Sequence, residues 1–209
     1  MSHRFNGAEL FNQDLSSWNV KNVRNMKSLF DFANAFEGKG LSQWNVENVE
    51  DMESMFIGAW LFNEDISSWK VEKCENMYAM FGDAESFNQD LSDWNVEKCK
   101  DMGNMFDGAK KFEGKGLSGW NVDNVENMSM MFTGCLTFNQ DLSEWKGKIK
   151  KCEYMSGMFS ICEKFEGKGL SEWDVKNVRN MEQMFRGAKR FDKDLFRNWN
   201  LSGKKISKI

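Results

Sequence analysis

The apolar positions of this chain recur with a period of about 25 residues. Eight Trp residues mark it, at Trp18, Trp44, Trp69, Trp94, Trp120, Trp145, Trp173 and Trp199, with spacings of 26, 25, 25, 26, 25, 28 and 26. Around each lies one frame, seen in LSSWNVKNVRNMKSLFDFANAF from Leu15 to Phe36. The second unit offers Leu41, Trp44, Val46, Val49, Met52, Met55, Phe56, Ala59 and Phe62 to a core. No single unit of this size can bury that set alone, so the units must stack and close their apolar faces against one another.

Within a unit, Leu-Ser-x-Trp-x-Val matches the LxxLxL pattern of leucine-rich repeats and predicts one short strand, paired with the same strand of the next unit. Asn or Asp then precedes a Met, as at Asn25, Asp51 and Asn76, and a Gly follows the Met-Phe pair in most copies, as at Gly58, Gly82 and Gly108. An N-cap acceptor and a C-terminal glycine bracket a helix of one to two turns. A single longer helix is the alternative, because Val23, Met26, Leu29, Phe30, Ala33 and Phe36 also fit a 3.6-residue stripe. The fold class expected is an α/β repeat solenoid of about eight coils of 25–26 residues, each one short strand plus one short helix.

The links carry the irregularities. After the last Phe comes either an FNQDL-like link or the longer FEGKGL, and WKGKIKKC between Trp145 and Cys152 adds two residues. Residues 1–11 match only the second half of a unit, residues 12–201 are tandem repeats, and the basic segment 202–209 is a cap or tail, all within one domain. The half-unit start leads to the expectation that the chain is cut from a longer array.

Composition narrows the function. Nine Trp, eighteen Phe and fifteen Met stand against two Tyr, one His and no Pro, as when one motif is copied. The net charge of -4 is spread along interspersed Lys and Glu, which argues against nucleic acid as a partner. No run reaches the roughly 18 apolar residues of a membrane span. No basic-apolar-small leader opens the chain, so a soluble, untargeted segment is expected.

Candidate chemistry is sparse. His3, the one histidine, lies at the edge of the chain, so no Ser-His or Cys-His pair is expected in a core, and no phosphate-loop, dinucleotide or zinc spacing occurs. No catalytic, cofactor or metal residue is assigned, and the chain reads as a non-enzyme. Cys74, Cys99 and Cys152 replace the Val before the predicted helix, and Cys135 and Cys162 the Ala after it. They are expected as free buried thiols; Cys74 over Cys99 and Cys135 over Cys162 would stack near disulfide distance, but the parallel side chains of a ladder disfavour the bridging torsion. Asp14, Asp65, Asp90, Asp141 and Asp194 recur in the FNQD-type links and invite a calcium reading. Lys39, Lys115 and Lys168 interrupt that ladder, so turn capping is the expected role. The Trp column is expected in the core rather than as an exposed sugar-stacking platform.

FNQDLSxWNVxNVxxMxxMFxGA resembles the bacterial surface-protein repeat of about 26 residues found in mycoplasma lipoproteins and grouped distantly with leucine-rich repeats. That resemblance covers nearly the whole chain. It implies a right-handed solenoid, a cell-surface or extracellular location, and a role in adhesion or antigenic variation without assigned biochemistry.

The function expected is a non-catalytic binding and adhesion module for a protein or glycan partner, with a structural spacer in a longer surface array as the alternative. Contacts are expected at the outward positions beside each Trp. One column is Ser17, Gln43, Ser68, Asp93, Gly119, Glu144 and Glu172; the other is Asn19, Asn45, Lys70, Asn95, Asn121, Lys146, Asp174 and Asn200. The first varies while its apolar neighbours hardly change. Asp93, Glu144, Glu172 and Asp174 make the C-terminal half acidic, so a basic partner surface is expected there.

Overall fold

The computed structural model describes residues 1–197 and 199–206; of the tail expected over 202–209, residues 207–209 lie outside them. Among the described residues there is no α-helix and no extended strand. Regular structure is confined to five 3₁₀ helices (Leu41–Gln43, Leu117–Gly119, Ser143–Trp145, Leu170–Glu172 and Lys193–Phe196) and to isolated parallel β-bridges. This overturns the right-handed, leucine-rich-repeat-like α/β solenoid, and with it both the short capped helix and the longer one.

What forms instead is a stack of turns. The expected strand, Leu-Ser-x-Trp-x-Val, is a turn or a single turn of 3₁₀ helix in each coil. Pairing between coils runs along the segment expected to be helical, where parallel bridges join Asn25, Asp51, Asn76, Asp101, Asn127, Tyr154, Asn180 and Lys205, each to the next. The N–H groups of Met26, Ser28, Phe30 and Phe32 donate to the carbonyls of Asp51, Glu53, Met55 and Ile57 in the following coil at 2.7–2.9 Å. Between them, the N–H groups of Leu29, Ala33 and Phe36 close turns on Met26, Phe30 and Ala33 at 3.0–3.1 Å. An α-helix would direct each of these donors to the carbonyl four residues back in the same coil; here four of the seven bond to the next coil and three to the carbonyl three residues back.

The residues that resemble helix caps serve the turns. Asn25, Asp51 and Asn76 accept from the backbone N–H two residues on, each at 3.0 Å, which is an Asx turn rather than a helix N-cap. The column of Gly58 and Gly108 is the left-handed corner of the second turn, with φ of 69° and 71°, and φ of 52° at Phe32 in the same column; in the third unit Asp83, at 53°, takes the corner, and Gly82 stands one place before it.

The core assignment from the repeat is borne out: all nine side chains named for the second unit are buried, the inner coils bury the equivalent set, and at the ends Trp18, Val23, Ala188 and Phe191 are partly buried. Phe30, Phe56, Phe81, Phe106, Phe132, Phe159 and Phe185 form one continuous column of stacked rings, 5.5–5.9 Å apart from one coil to the next and headed by Phe5 at 5.4 Å from Phe30. Within the repeat frame, the indoles of Trp44, Trp69, Trp94, Trp120, Trp145, Trp173 and Trp199 also donate Nε1–H to a carbonyl of the preceding coil, for example Trp69 to Leu41 at 2.9 Å and Trp120 to Leu91 at 3.1 Å. The column is therefore Trp rather than Phe: the ring fills the core and its one polar atom finds an acceptor in a carbonyl that also closes the turn of its own coil, as Leu41 does for Trp44 N–H at 3.0 Å.

The ends keep the register. Residues 1–11 pair as a half-coil, with the Met1 amino group donating to the Asn25 carbonyl at 2.7 Å and Phe5 N–H to Leu29 at 2.9 Å. At the other end Lys205 takes the Asn/Asp place in the bridge column, and Met181 N–H donates to its carbonyl at 2.9 Å. In the FEGKGL links, Gly40, Gly116 and Gly169 have φ of 89–92°, and a Cβ there would run into the backbone nitrogen of Ser16, Ser92 or Ser143 in the preceding coil. Only glycine permits that approach.

Candidate functional site

Interior positions repeat, so a site must be sought on the surface. The bridge-bearing segments line up as one face, here called the ladder face. Two columns on it differ from coil to coil: Lys27, Glu53, Tyr78, Gly103, Ser129, Ser156 and Glu182 in one, Ser28, Ser54, Ala79, Asn104, Met130, Gly157 and Gln183 in the next; of these Ser28, Ala79, Gly103 and Gly157 are buried and the others reach solvent. Phe32, Tyr78, Met130, Tyr154 and Ile161 all stand exposed there, and they include both tyrosines of the chain. Tyr154 replaces the Asn or Asp of the bridge column. Trp60, the ninth Trp and outside the repeat frame, is 49% exposed beside Leu61 on the adjoining edge. The sequence signal for Trp60 was its falling outside the period of the other eight.

Amide and carboxylate side chains tie the face together across coils. Asn25 Nδ2 donates to Asp51 at 2.8 Å and Asn127 Nδ2 to Asp101 at 3.0 Å. Burial pushes the Asp101 and Asp31 carboxyls above their ordinary value. Asp107, half-buried beside Asp83, is pushed up to about 6, by burial first and by the neighbouring carboxylate second. A shallow pocket of about 260 Å³ between Met130, Thr133, Ser160 and Gln183 opens on the same face.

The two expected contact columns lie on the turns beside the Trp column, away from the ladder. Ser17, Gln43, Ser68, Asp93, Gly119, Glu144 and Glu172 are exposed, as are Asn19, Asn45, Lys70, Asn95, Lys146, Asp174 and Asn200, while Asn121 is half-buried. Many of these side chains have local duties. Asn19, Asn45, Asn95, Asn121, Asp174 and Asn200 accept from the backbone N–H two residues on, at 3.0–3.2 Å. Glu172 pairs with Lys146 at 2.8 Å and Asp174 with Lys176 at 3.3 Å, which offsets part of the acidic charge expected in the C-terminal half. A pocket of about 400 Å³ lies there between Glu172, Asp174, Lys176 and Asn200.

The link aspartates cap turns. Asp14, Asp65, Asp90 and Asp141 accept from Ser16, Ser67, Ser92 and Ser143 N–H groups at 2.8–3.0 Å, and in the last link Asp192 caps Asp194 at 2.9 Å. The interrupting lysines pair with them, Lys115 with Asp90 at 2.8 Å and Lys168 with Asp141 at 2.9 Å. The five thiols are free and buried, and burial pushes Cys74 and Cys152 up to about 12. Trp44, Trp69, Trp94, Trp120, Trp145, Trp173 and Trp199 are buried, so that column is no platform for sugar stacking. No helix among the described residues is long and apolar enough to cross a membrane.

No curated protein matches the chain in sequence. Among solved structures, a chain titled "Crystal structure of TLR13-ssRNA13 complex" aligns at 8% identity and a TM-score of 0.16, over 90% of this chain and 52% of that one, so this chain spans about half its length. The model of one family matches twice in tandem, over residues 1–117 and 112–208, and together the matches take in the stack from its first half-coil to its last turn. The chain belongs to that family, described as Mycoplasma protein of unknown function, DUF285.

Proposed function

We propose that this chain is a non-catalytic binding module of a bacterial surface or secreted repeat protein, and that it engages a protein or glycan across an extended face of the stack. The observation that carries this reading is the contrast between inside and outside. The inner coils bury the same frame positions, whereas the ladder face changes residue from coil to coil and exposes Tyr78, Met130, Tyr154 and Ile161. Half-exposed aromatics among small polar residues are the composition of a recognition surface, because Tyr offers contact area and a hydrogen bond at small entropic cost. The turn columns beside the Trp residues contribute charge, but several of their side chains are engaged within the fold.

The experiment applies the chain to immobilised glycans and extracellular-matrix proteins, beside two variants. Tyr78→Ser with Tyr154→Ser alters the ladder face, and Glu144→Lys with Glu172→Lys alters the turn columns. Loss of capture in the tyrosine variant alone supports recognition through the ladder face. Loss in the glutamate variant alone moves the contact to the turns, and an absence of capture by the parent chain favours the spacer.

A further inference from the structure

Two departures from the repeat, far apart in sequence, meet in space. The Lys-rich insert WKGKIKKC supplies Lys150 and Lys151, and the basic C-terminal segment supplies Lys204; between them the intervening coil contributes Lys176 and Arg179. Together they line an open cleft of about 610 Å³ on the edge of the stack beside the ladder face. The cleft is built rather than incidental. Lys204 Nζ donates to the carbonyls of Lys176 at 2.9 Å and Val178 at 2.7 Å, which fastens the last coil against its neighbour. Lys151 Nζ reaches Asn124 at 2.7 Å, and Arg179 pairs with Glu153 at 3.0 Å. Lys150 forms no ion pair among the described residues.

We infer that this cleft binds an acidic glycan, a polymer whose sulfate or carboxylate groups are separated by hydroxyl-bearing rings. Five lining cations face two lining carboxylates, Glu126 and Glu153, and a third, Asp174, pairs with Lys176 from outside the lining; the remaining excess makes the cleft a local positive site on a chain of net charge -4. The cations come from three successive coils, so they are spaced along the stack and suit an extended ligand with repeated anions. The two carboxylates, with Asn177 and Ser202 beside them, distinguish this ligand from a phosphate backbone. They would repel a uniformly charged strand, but they can accept from sugar hydroxyls lying between the anionic groups. The described lining holds no aromatic ring on which a base could stack, which is the usual platform for single-stranded nucleic acid. The inference rests on the binding reading above and gives it a ligand class at a second surface.

The test titrates the chain with a size-defined heparin oligosaccharide, its desulfated counterpart and a single-stranded DNA oligonucleotide of similar charge, at low and at physiological salt. Binding of the sulfated oligosaccharide should weaken as salt rises, and the desulfated one should bind far less. Lys150→Ala with Lys151→Ala should weaken binding by roughly tenfold or more, because exposed cations facing an anionic partner govern encounter and charge complementarity. Lys110→Ala with Lys111→Ala, equal in charge change and placed on another edge, should stay within about twofold of the parent chain by the same reasoning. The single exposed change Lys150→Glu repeats the measurement should the double variant melt early. Equal losses in both lysine pairs, an unaffected cleft variant, or tighter binding of the oligonucleotide each overturn the assignment. Since Tyr78 and Tyr154 do not line the cleft, their effect on capture is read independently, and the cleft can fail while the binding module stands.

Discussion

The indole Nε1–H of Trp94 donates to the carbonyl oxygen of Ile66 at 3.1 Å, across the boundary between two coils. The ring belongs to the core of its own coil and the hydrogen bond to the preceding one, so a single residue joins packing to register. Trp94→Ala should cost about 3–5 kcal/mol, the range for a large buried aromatic. Trp94→Phe keeps much of the ring and removes one of two hydrogen bonds on the Ile66 carbonyl, which still accepts from Trp69 N–H at 3.1 Å, and should cost about 0.5–1.5 kcal/mol for that bond. Chemical denaturation of both variants checks this; a neutral Trp94→Phe would show that the bond to Ile66 adds nothing.

The period and the buried set were legible because a repeated apolar frame admits few other readings. The backbone was not. Asn25 before Met26 and the Gly column after the Met-Phe pair satisfy the local signals of a capped helix, yet an Asx acceptor and a left-handed corner also build consecutive turns. The choice rests on whether Met26, Ser28 and Phe30 find acceptors within their own coil or in Asp51, Glu53 and Met55 of the next, and local propensity does not encode that partner. The outward position of the turn columns was readable from alternation around Trp and Val. The exposed Tyr and Met on the ladder face were hidden by the helix assignment, which turned the same residues to a different side. The cleft was visible only as two irregularities, Lys150 with Lys151 and Lys204, whose meeting depends on the stacking.

Gly116 and Gly119 sit three residues apart and should respond oppositely to the same change. At Gly116 φ is 92° and a Cβ would collide with the backbone of Ser92, whereas at Gly119 nothing lies within 4 Å. Gly116→Ala should therefore destabilise by about 2 kcal/mol or more, and Gly119→Ala should be close to neutral. Thermal melts of the pair decide it.

The thiols should be silent in the folded chain. All five are buried, and burial raises Cys74 and Cys152 to about 12, so little thiolate exists at neutral pH. A thiol reagent should label none of Cys74, Cys99, Cys135, Cys152 and Cys162 until denaturant is added, and then all of them. Fast labelling of Cys99 under native conditions would place the column preceding the bridges in solvent.

Acid should first help and then harm. Asp107 titrates at about 6 against an ordinary 3.8, so between those values the folded state binds its proton more tightly than the unfolded chain, and its contribution to stability grows as pH falls through that window. Asp90 and Asp141 act in the other direction. The Lys115 and Lys168 ammonium groups foremost, and then the serine hydrogen bonds, hold them at about 2, so their contribution is present above 3.8 and lost as pH falls toward 2. Stability should peak near pH 4 to 5. Asp107→Asn should raise stability at pH 8 by about 1–2 kcal/mol, allowing for its partial exposure, and should flatten the rise on the acid side. A melt series against pH for the two chains tests both statements.

Calcium chelation should leave the melting temperature where it is. The link carboxylates of Asp90 and Asp141 are occupied by serine N–H groups and by Lys115 and Lys168. A calcium-dependent rise in melting temperature would contradict turn capping as the role of these residues.

Coils bound only to their neighbours also have a mechanical consequence. Force applied between the two ends of the chain does not load all bridges at once; it loads the Asn180 and Lys205 bridge, or its counterpart between Met1 and Asn25, and then the next. The stack should yield one coil at a time, each peeled unit of 25 or 26 residues releasing about 85 Å of chain at roughly 3.4 Å per residue. Under tension it would lengthen in steps while the coils not yet reached kept their surfaces intact.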